Sequence, residues 1–340
     1  MDRVKKLRKK YKEFIFKSFS FKKNREGLLL KFEYFLKPSD KFITTIFIKK
    51  KLNKKIEKDV LNNLLFHLGL IEMLNYWKLT CSPIIRIEPG SLNKEQIKFW
   101  RKVILKGMGQ YFFENKINFR EKNFLKIISK KRKKQKNILG IISNNSKKCL
   151  IGVGGGKDSV LLIELLKRRG EKLSAFVLNK KRHQEKIIKI GKIKEKIFVE
   201  RQLDKKLFSL QKKGFLKGHV PFSAFLSFLA ILLAYLFDFR RIYFGWEKSS
   251  SVPNLIFKNM EINHQWSKSI EFENMLKNYT KKYLLKNVSI FSPIRNFSEI
   301  KIAKFFSRFK KYHFHFLSCN LGSKMDKGKW CNNCPKCLFT

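Results

Sequence analysis

Three consecutive glycines followed by a lysine, an aspartate and a serine are the strongest indication of chemistry in this chain. An apolar run at residues 149–153 precedes them, and residues 159–167 are apolar at helical spacing, which predicts a strand, a glycine loop and a helix. Glycines let the backbone approach a phosphate, and a helix N-terminus adds unpaired N–H groups. The spacing matches neither G-x-x-x-x-G-K-[ST] nor G-x-G-x-x-G. We therefore expect a polyphosphate-binding loop; the alternative is a glycine-rich turn that binds nothing.

This loop resembles the S-G-G-x-D-S loop of the PP-loop ATP pyrophosphatases, with Gly154 in place of the first serine. Enzymes of that superfamily grip the phosphates of ATP, adenylate a carbonyl or carboxylate oxygen, and release pyrophosphate. The resemblance implies an ATP-binding fold of the adenine nucleotide alpha hydrolase type. It also implies that the phosphates contact six consecutive residues: Gly154, Gly155, Gly156, Lys157, Asp158 and Ser159.

A second group of reactive side chains lies about a hundred residues further on. His264 titrates near neutrality and can exchange a proton with a substrate. Lys268 can contact a carboxylate or a phosphate, and Glu247 follows a short predicted strand, where it can hold Mg²⁺ beside a polyphosphate. The alternative is a surface loop with an ordinary hydrogen-bonded histidine.

Four cysteines near the end of the chain have the spacing of a metal site. They are separated by eleven, two and two residues: Cys319, Cys331, Cys334 and Cys337. Four thiolates at this spacing suit a structural Zn²⁺ in tetrahedral coordination. An Fe–S cluster is the second interpretation and unligated thiols are the third. Because the sequence ends three residues after Cys337, a truncated and inactive copy is also an expectation to test.

The composition is extremely basic, with 77 Lys and Arg against 26 Asp and Glu and a formal charge of +51. Such a charge usually indicates nucleic acid or an anionic membrane surface as a partner. Here the lysines are scattered through every segment and accompany 34 Phe, which indicates a general compositional bias and argues against a nucleic-acid partner. The N-terminus has no apolar signal segment. The longest uncharged apolar run, residues 222–237, is shorter than the ~20 residues of a membrane span, so we expect a buried helix in a cytoplasmic protein.

The pattern along the chain predicts two domains. Residues 1–128 indicate an α+β domain, residues 129–147 a basic linker, and residues 148–340 an α/β domain with a parallel sheet and helices on both faces. Ligands of such sheets lie at the carboxyl ends of the strands. The individual predictions are strands at 28–35, 42–48, 84–87, 149–153, 173–178 and 242–245, a helix at 60–74, and a second helix from Asn93, capped by Gln96, to about Glu114.

Several segments together resemble the MurL-type UDP-N-acetyl-α-D-muramoyl-L-alanyl-L-glutamate epimerase family. The most specific are the His-Gln-Trp-Ser-Lys-Ser run and the Trp-Cys-x-x-Cys-Pro-Lys-Cys run near the end of the chain. The chain departs from the family at Trp246, where the family tends to have asparagine between glycine and glutamate. The matching segments are residues 66–73, 76–83, 154–159, 218–221, 263–269 and 330–337.

The resemblance implies a step of peptidoglycan precursor biosynthesis, in which ATP and Mg²⁺ drive inversion of the terminal L-Glu of UDP-MurNAc-L-Ala-L-Glu to D-Glu. An acyl-adenylate would form, with AMP and pyrophosphate released. In that mechanism the glycine loop binds the phosphates, Asp158 and Glu247 hold Mg²⁺, His264 is one acid/base, and Lys268 orients an anionic group of the substrate. His219 and Glu271 are the candidates for the second acid/base.

Two other functions stay open on the sequence. A PP-loop nucleobase- or tRNA-modifying enzyme of the deazaguanine nitrile synthase type would share the loop and the four cysteines, and the high charge favours it. A basic RNA-binding protein with a degenerate fold would show salt-sensitive RNA binding and no ATP requirement. The residues give no oligomeric state.

Overall fold

The computed structural model describes residues 3–130, 138–143, 146–322 and 328–340 of the 340-residue chain. Within these ranges the chain forms twelve strands. They are β1 (Glu13–Lys23), β2 (Leu28–Leu36), β3 (Asp40–Lys49), β4 (Ile84–Ile87), β5 (Lys126–Ser129), β6 (Lys148–Gly152), β7 (Lys172–Leu178), β8 (Glu195–Gln202), β9 (Arg241–Tyr243), β10 (Leu255–Phe257), β11 (Met260–Ile262) and β12 (Ser289–Phe291).

The same ranges contain twelve α-helices and three short 3₁₀ turns. The turns are Lys248–Ser251, Trp266–Lys268 and Lys310–Tyr312. The helices are α1 (Arg3–Lys10), α2 (Lys58–Glu72), α3 (Leu74–Trp77), α4 (Lys94–Gly107), α5 (Gly109–Glu114), α6 (Lys157–Arg168), α7 (Arg182–Ile190), α8 (Lys206–Lys212), α9 (Phe222–Phe237), α10 (Ile270–Tyr283), α11 (Glu299–Phe306) and α12 (Pro335–Phe339).

Ten of the strands form one sheet in the order β12-β9-β6-β7-β8-β3-β2-β1-β4-β5. The five strands from β12 to β8 are parallel to one another. β8 pairs antiparallel with β3, and β3, β2 and β1 continue as an antiparallel meander. At the other end of the sheet, β1 pairs parallel with β4, and β4 with β5. A parallel half from the C-terminal part of the chain is therefore hydrogen-bonded to a mixed half from the N-terminal part.

Successive side chains along each strand point to opposite faces of the sheet, and this explains which faces of the two halves are covered by other elements. In β6, Leu150 packs into the large core that contains α2 and α9, whereas Cys149 and Ile151 pack into a second core with α6 and α7. The parallel half thus carries helices on both faces, which confirms the predicted α/β class. In β2, buried residues alternate with exposed or half-buried ones, so this antiparallel strand buries one face.

Most of the individual predictions are confirmed, including the strand pair β2–β3, helix α2, strand β4 and the strand–loop–helix unit of β6 and α6. The second predicted helix differs, because it is interrupted at Met108 between α4 and α5. The neighbouring glycines explain the break: a Cβ at Gly107 would lie 2.9 Å from Pro221 Cβ, and one at Gly109 would lie 3.2 Å from Ile262 Cδ1. The helix is interrupted where these residues pack closely against it.

The predicted buried helix is α9, and twelve of its residues are buried. No helix among the described residues is long and apolar enough to cross a membrane. Of the predicted linker at 129–147, residues 131–137 and 144–145 lie outside the described ranges. The division into two domains stays a prediction, while the sheet itself continues across the predicted boundary.

Candidate active site

The glycine loop connects the carboxyl end of β6 to the first turn of α6, as the sequence predicts. Gly155 has a φ of +84°, and a Cβ there would overlap the His183 ring, lying 3.0 Å from its Nε2 atom. A Cβ at Gly156 would lie 2.8 Å from Ser318 Oγ. Two of the three glycines are therefore required by the close approach of neighbouring side chains.

Two hydroxyl groups hold the loop in this shape. The N–H of Gly154 donates to Ser159 Oγ at 3.1 Å, and the N–H of Lys157 donates to Ser318 Oγ at 3.0 Å. Leu317 N–H donates to Gly155 O at 2.9 Å, so residues from near the end of the chain brace the loop. The N-terminus of α6 with its glycine approach has the form that suits an anionic group such as a polyphosphate.

The lysine of the loop is buried in a cluster of charges. Its side chain is 6% exposed, and Nζ lies 2.9 Å from Asp158 Oδ1 and 3.2 Å from Glu299 Oε1. Burial alone would lower the pKa of Lys157, but the two carboxylates outweigh it and raise that pKa. Glu299 is the first residue of α11 and was not predicted as a site residue. Nothing in the sequence around a helix start indicates that Glu299 pairs with Lys157, 142 residues away.

Glu247 follows β9, the parallel strand beside β6 in the sheet. A Cβ at Gly245 would be 3.5 Å from Asp158 Cβ, so the end of β9 touches the start of α6. Glu247 is buried, and its Oε2 accepts a hydrogen bond from Ser249 Oγ at 2.5 Å. Its neighbour Trp246 is also buried and stacks on Phe244 with ring centroids 4.4 Å apart. The residue at this departure from the family pattern is therefore part of the core.

His264 and Lys268 lie at the turn that follows β11. The Nδ1 atom of His264 is 2.5 Å from Asn254 Oδ1, which makes Nδ1 the donor and leaves Nε2 as the basic nitrogen. Burial lowers the pKa of His264, and the positive charges of Lys268 and Lys336 lower it further.

Lys268 itself faces charges of both signs. Burial lowers its pKa and the charge of Lys336 adds to that effect, while three carboxylates oppose it: Asp158, Glu247 and Glu299. Ser250 Oγ lies 2.6 Å from Glu247 O and 3.1 Å from Lys268 O, so the Glu247 segment and the His264 turn share one region of the protein.

His219 belongs to the same region. Burial lowers its pKa to about 4, and the positive charges of His264, Lys78 and Lys268 contribute. The imidazole is therefore neutral at physiological pH. Pro221, two residues after His219, and Trp266, two residues after His264, both lie against Gly107. The structure thus brings together two histidines that lie 45 residues apart in the sequence.

Glu271, the other candidate for the second acid/base, has partners of its own. Its Oε2 accepts a hydrogen bond from Trp266 Nε1 at 2.5 Å, and its Oε1 lies 2.7 Å from Lys102 Nζ. Burial would raise its pKa, but these two partners lower it, so the group stays a carboxylate. The contacts describe an ion pair that fixes the first turn of α10.

The four predicted cysteine ligands converge on one point, with all four Sγ atoms within 4.8 Å of one another. Separations of 3.5 Å, 3.7 Å and 4.0 Å occur between individual pairs. Tetrahedral coordination with bonds of about 2.3 Å would place the sulfurs ~3.8 Å apart. The N–H groups of Gly322 and Cys331 also donate to Cys319 Sγ at 3.1 Å and 3.4 Å. This cluster could hold a metal ion.

The cysteine segment is joined to the rest of the site. Ser318, next to Cys319, is the residue that accepts the Lys157 N–H. Lys336 lies between Cys334 and Cys337, and its positive charge lowers the pKa values of His264 and Lys268. The Phe339 ring centroid lies 5.6 Å from Lys157 Nζ. Closing the cysteine cluster therefore fixes groups on two sides of the glycine loop.

Comparison with known proteins gives relatives of one kind. The chain is 30% identical over 274 residues to a UDP-N-acetyl-alpha-D-muramoyl-L-alanyl-L-glutamate epimerase from Salinispora tropica, covering 80% of this chain and 59% of that protein. Proteins of the same name from a Micromonospora species and from Xanthomonas oryzae pv. oryzae are 29% and 28% identical, each over 80% of this chain and 60% of the relative. The chain thus spans about 60% of the length of these relatives.

Among solved structures, a predicted subunit of tRNA methyltransferase from Methanocaldococcus jannaschii is 17% identical, covering 47% of this chain and 74% of its own, with a TM-score of 0.32. A TM-score of this size supports no conclusion about fold or function. The family comparison is more decisive, since residues 5–293 match the MurL N-terminal domain. This match includes the glycine loop and both histidines of the site and ends before the cysteine cluster. The chain belongs to the MurL N-terminal domain family.

Proposed function

We propose that this protein uses ATP to epimerise the terminal L-Glu of UDP-MurNAc-L-Ala-L-Glu to D-Glu through an acyl-adenylate, with release of AMP and diphosphate. The observation that carries the proposal is that the glycine loop at a helix N-terminus and the two histidines lie in one region. Gly245 meets Asp158, Ser250 joins Glu247 to Lys268, and Gly107 touches both Pro221 and Trp266. The names of the relatives support the substrate. A cytoplasmic location accompanies the proposal as a prediction.

The chemistry explains why such a reaction needs ATP. Removing the α-proton of a free carboxylate would create a dianion, so that proton is very weakly acidic. Attack by the α-carboxylate oxygen on the α-phosphorus of ATP forms the adenylate, breaks the bond to the β-phosphate and releases diphosphate. The carbonyl of the adenylate can then delocalise the carbanion. Hydrolysis of the adenylate finally returns the carboxylate and AMP.

The glycine loop, residues 154–159, is assigned to the phosphates. The donors would be Lys157 Nζ and the backbone N–H groups other than those of Gly154 and Lys157, which Ser159 and Ser318 accept. Asp158 and Glu247 have the hard oxygen ligands that suit Mg²⁺. Asp158 is in the first turn of α6, which Gly245 approaches closely, and Glu247 is two residues after Gly245. A bound Mg²⁺ would supply positive charge for the departing diphosphate. In the present geometry Lys157 pairs with both Asp158 and Glu299 and neutralises part of this acidic cluster.

Proton transfer is assigned to the two histidines. His219 is the base on one face of the α-carbon, because its lowered pKa keeps the ring neutral at pH 7. His264 supplies a proton to the opposite face from Nε2. Because Nδ1 is held by Asn254 and the pKa of the ring is lowered, Nε2 first takes that proton from solvent, to which the side chain is exposed, while His219 gives its proton up to solvent. Lys268, half-buried beside them, orients an anionic group of the substrate.

The cysteine cluster is proposed to bind a structural Zn²⁺. Four thiolates with backbone N–H donors to one of them fit the closed coordination of such sites. The bound ion would supply rigidity here and no open coordination position. Its assigned role is to hold Ser318 and Lys336 in place beside the glycine loop.

The test is incubation of the protein with UDP-MurNAc-L-Ala-L-Glu, ATP and Mg²⁺ in D₂O, following AMP, diphosphate, deuterium at Cα and the chirality of glutamate. AMP together with deuterated D-Glu is the expected result. His219→Gln should still form AMP but lose deuterium exchange, whereas His264→Gln should still form AMP and lose D-Glu, because His219 alone can exchange the α-proton on its own face but cannot protonate the opposite face. His313→Gln serves as the matched control, because its Nε2 contacts only Phe306 O among the described residues.

Other outcomes would redirect the assignment. AMP without deuterium exchange in the wild-type protein would show that the activated substrate has a different fate. Absence of AMP with this substrate, but AMP with RNA or a deazapurine acid, would favour a nucleobase-modifying enzyme.

A further inference from the structure

The loop that carries His219 is fixed onto the N-terminal half of the chain. Lys78 Nζ donates to Gly218 O at 3.0 Å, and Leu216 N–H donates to Leu79 O at 3.0 Å. Lys78, just after α3, is thereby placed beside His219, and its positive charge contributes to the lowered pKa of that histidine. A residue of the N-terminal half thus reaches the proposed proton-transfer groups.

A second cation, Arg201, lies in the same part of the fold as Lys78. Arg201 is at the end of β8, on the edge of the sheet where the parallel strands terminate, and its side chain is 9% exposed. Its Nε and Nη2 atoms bond Glu72 Oε1 at 3.2 Å and 2.9 Å, whereas its Nη1 has no partner among the described residues. Its Cζ atom lies 4.3 Å from the ring centroid of Phe225, whose N–H donates to Pro221 O two residues after His219, so Arg201 borders the same loop as Lys78. The positive charge of Arg201 also lowers the pKa of Lys78.

The acidic groups nearby leave this pair of cations incompletely neutralised. Among the described residues the ammonium of Lys78 donates to Gly218 O alone, and an ammonium has three N–H donors. The carboxylate of Glu114 raises the pKa of Lys78, but burial and the positive charge of Arg201 lower that pKa by more. A half-buried ammonium beside a guanidinium costs free energy unless an anion compensates it. The geometry leaves N–H donors on both cations for such an anion.

We propose that Lys78 and Arg201 form a binding subsite for an oxyanion of the substrate, at the junction of the two halves and adjacent to His219. This inference rests on the proposed function, from which it takes the substrate. The oxyanion is either a carboxylate of the peptide or a phosphate of the nucleoside diphosphate. Lys78 supplies two free N–H groups and Arg201 supplies Nη1.

Isothermal titration without ATP tests the subsite with two ligands, UDP-MurNAc-L-Ala-L-Glu and UDP. Lys78→Met removes the charge and keeps the length, Lys78→Arg restores the charge, and Lys23→Met is a control at an exposed lysine of β1. Lys78 is the better target because removing Arg201 would strand the buried Glu72. Losing a charge-assisted hydrogen bond typically weakens binding by about 10- to 100-fold. That loss is expected for Lys78→Met and not for the other two variants.

The pattern of loss identifies the oxyanion. Weaker binding of both ligands by Lys78→Met would assign the subsite to the diphosphate, and weaker binding of the full substrate alone would assign it to a peptide carboxylate. Unchanged binding of both ligands by Lys78→Met would overturn the subsite while the epimerase assignment stands. Failure of the wild-type protein to bind either ligand, with thermal melting normal, would overturn the proposed function and the subsite with it.

Discussion

Gly155 provides a sharp test of the glycine loop, because its neighbour Gly154 is a matched control. An alanine at Gly155 would have to adopt a φ of +84° and would overlap the His183 ring. An alanine at Gly154 would meet nothing closer than Ser159 Oγ at 3.8 Å. The same methyl group is therefore harmful at one position and harmless at the next.

The size of the effect follows from two contributions. A left-handed conformation costs a non-glycine residue roughly 1–2 kcal/mol, and overpacking costs about 1–3 kcal/mol. Together they predict that Gly155→Ala lowers the free energy of unfolding by roughly 2–5 kcal/mol. Unfolding entropies of about 2.1 cal/mol/K per residue give ~0.7 kcal/mol/K for 340 residues. The melting temperature should then fall by roughly 3–7 °C, whereas Gly154→Ala should stay within about 1 °C.

Thermal melting followed by circular dichroism measures both variants, and a double mutant separates the two contributions. His183→Ala removes the overlapping ring, so Gly155→Ala should cost less in that background, the difference being the steric part. Equal melting temperatures for Gly155→Ala and the wild type would refute the argument from loop geometry. An equal loss for Gly154→Ala would also refute it, since that position has room.

Three further predictions concern the pH profile, the metal and a helix cap. The pKa of His219 is lowered to about 4, so this base stays neutral until the pH falls to that value. The value of kcat/KM should therefore decline on the acid side only near pH 4 in folded protein. A decline near pH 6.5 that His219→Gln removes would contradict this. Cys334→Ser should lose bound zinc by elemental analysis, while Cys149→Ala, outside the cluster, should keep about one ion per chain. Asn93→Ala should lower the free energy of unfolding by about 1 kcal/mol in denaturant titration, since Asn93 accepts the Gln96 N–H in a capping box; an unchanged midpoint would argue against the cap.

Local patterns in the sequence were sufficient to predict the strand and helix around the glycine loop and the start of α4. The three glycines between an apolar run and a helical repeat predict the β6–α6 unit, and Asn93 with Gln96 predicts the start of α4. Both depend on residues a few positions apart, where backbone conformation and capping are decided.

Contacts between distant segments could not be read in the same way. Ser318 accepts the Lys157 N–H across 161 residues, and Glu299 pairs with Lys157 across 142. The position of Lys78 beside His219 depends on how a loop of one half docks on the other. None of these residues has a local pattern that distinguishes it from other serines, glutamates or lysines. The cysteines are the exception, because metal coordination imposes a spacing that is visible in the sequence.

The antiparallel pairing of β3 with β8 has a consequence for how the two halves depend on each other. Thr45–Lys49 of β3 are hydrogen-bonded to Phe198–Gln202 of β8 along a seam inside the sheet. Separating the halves would turn both strands into unprotected edges, and bare edges invite association with other chains. The N-terminal half thus protects a strand edge of the half that carries the glycine loop. Two fragments cut between the halves would each display the surface that the other is shaped to cover.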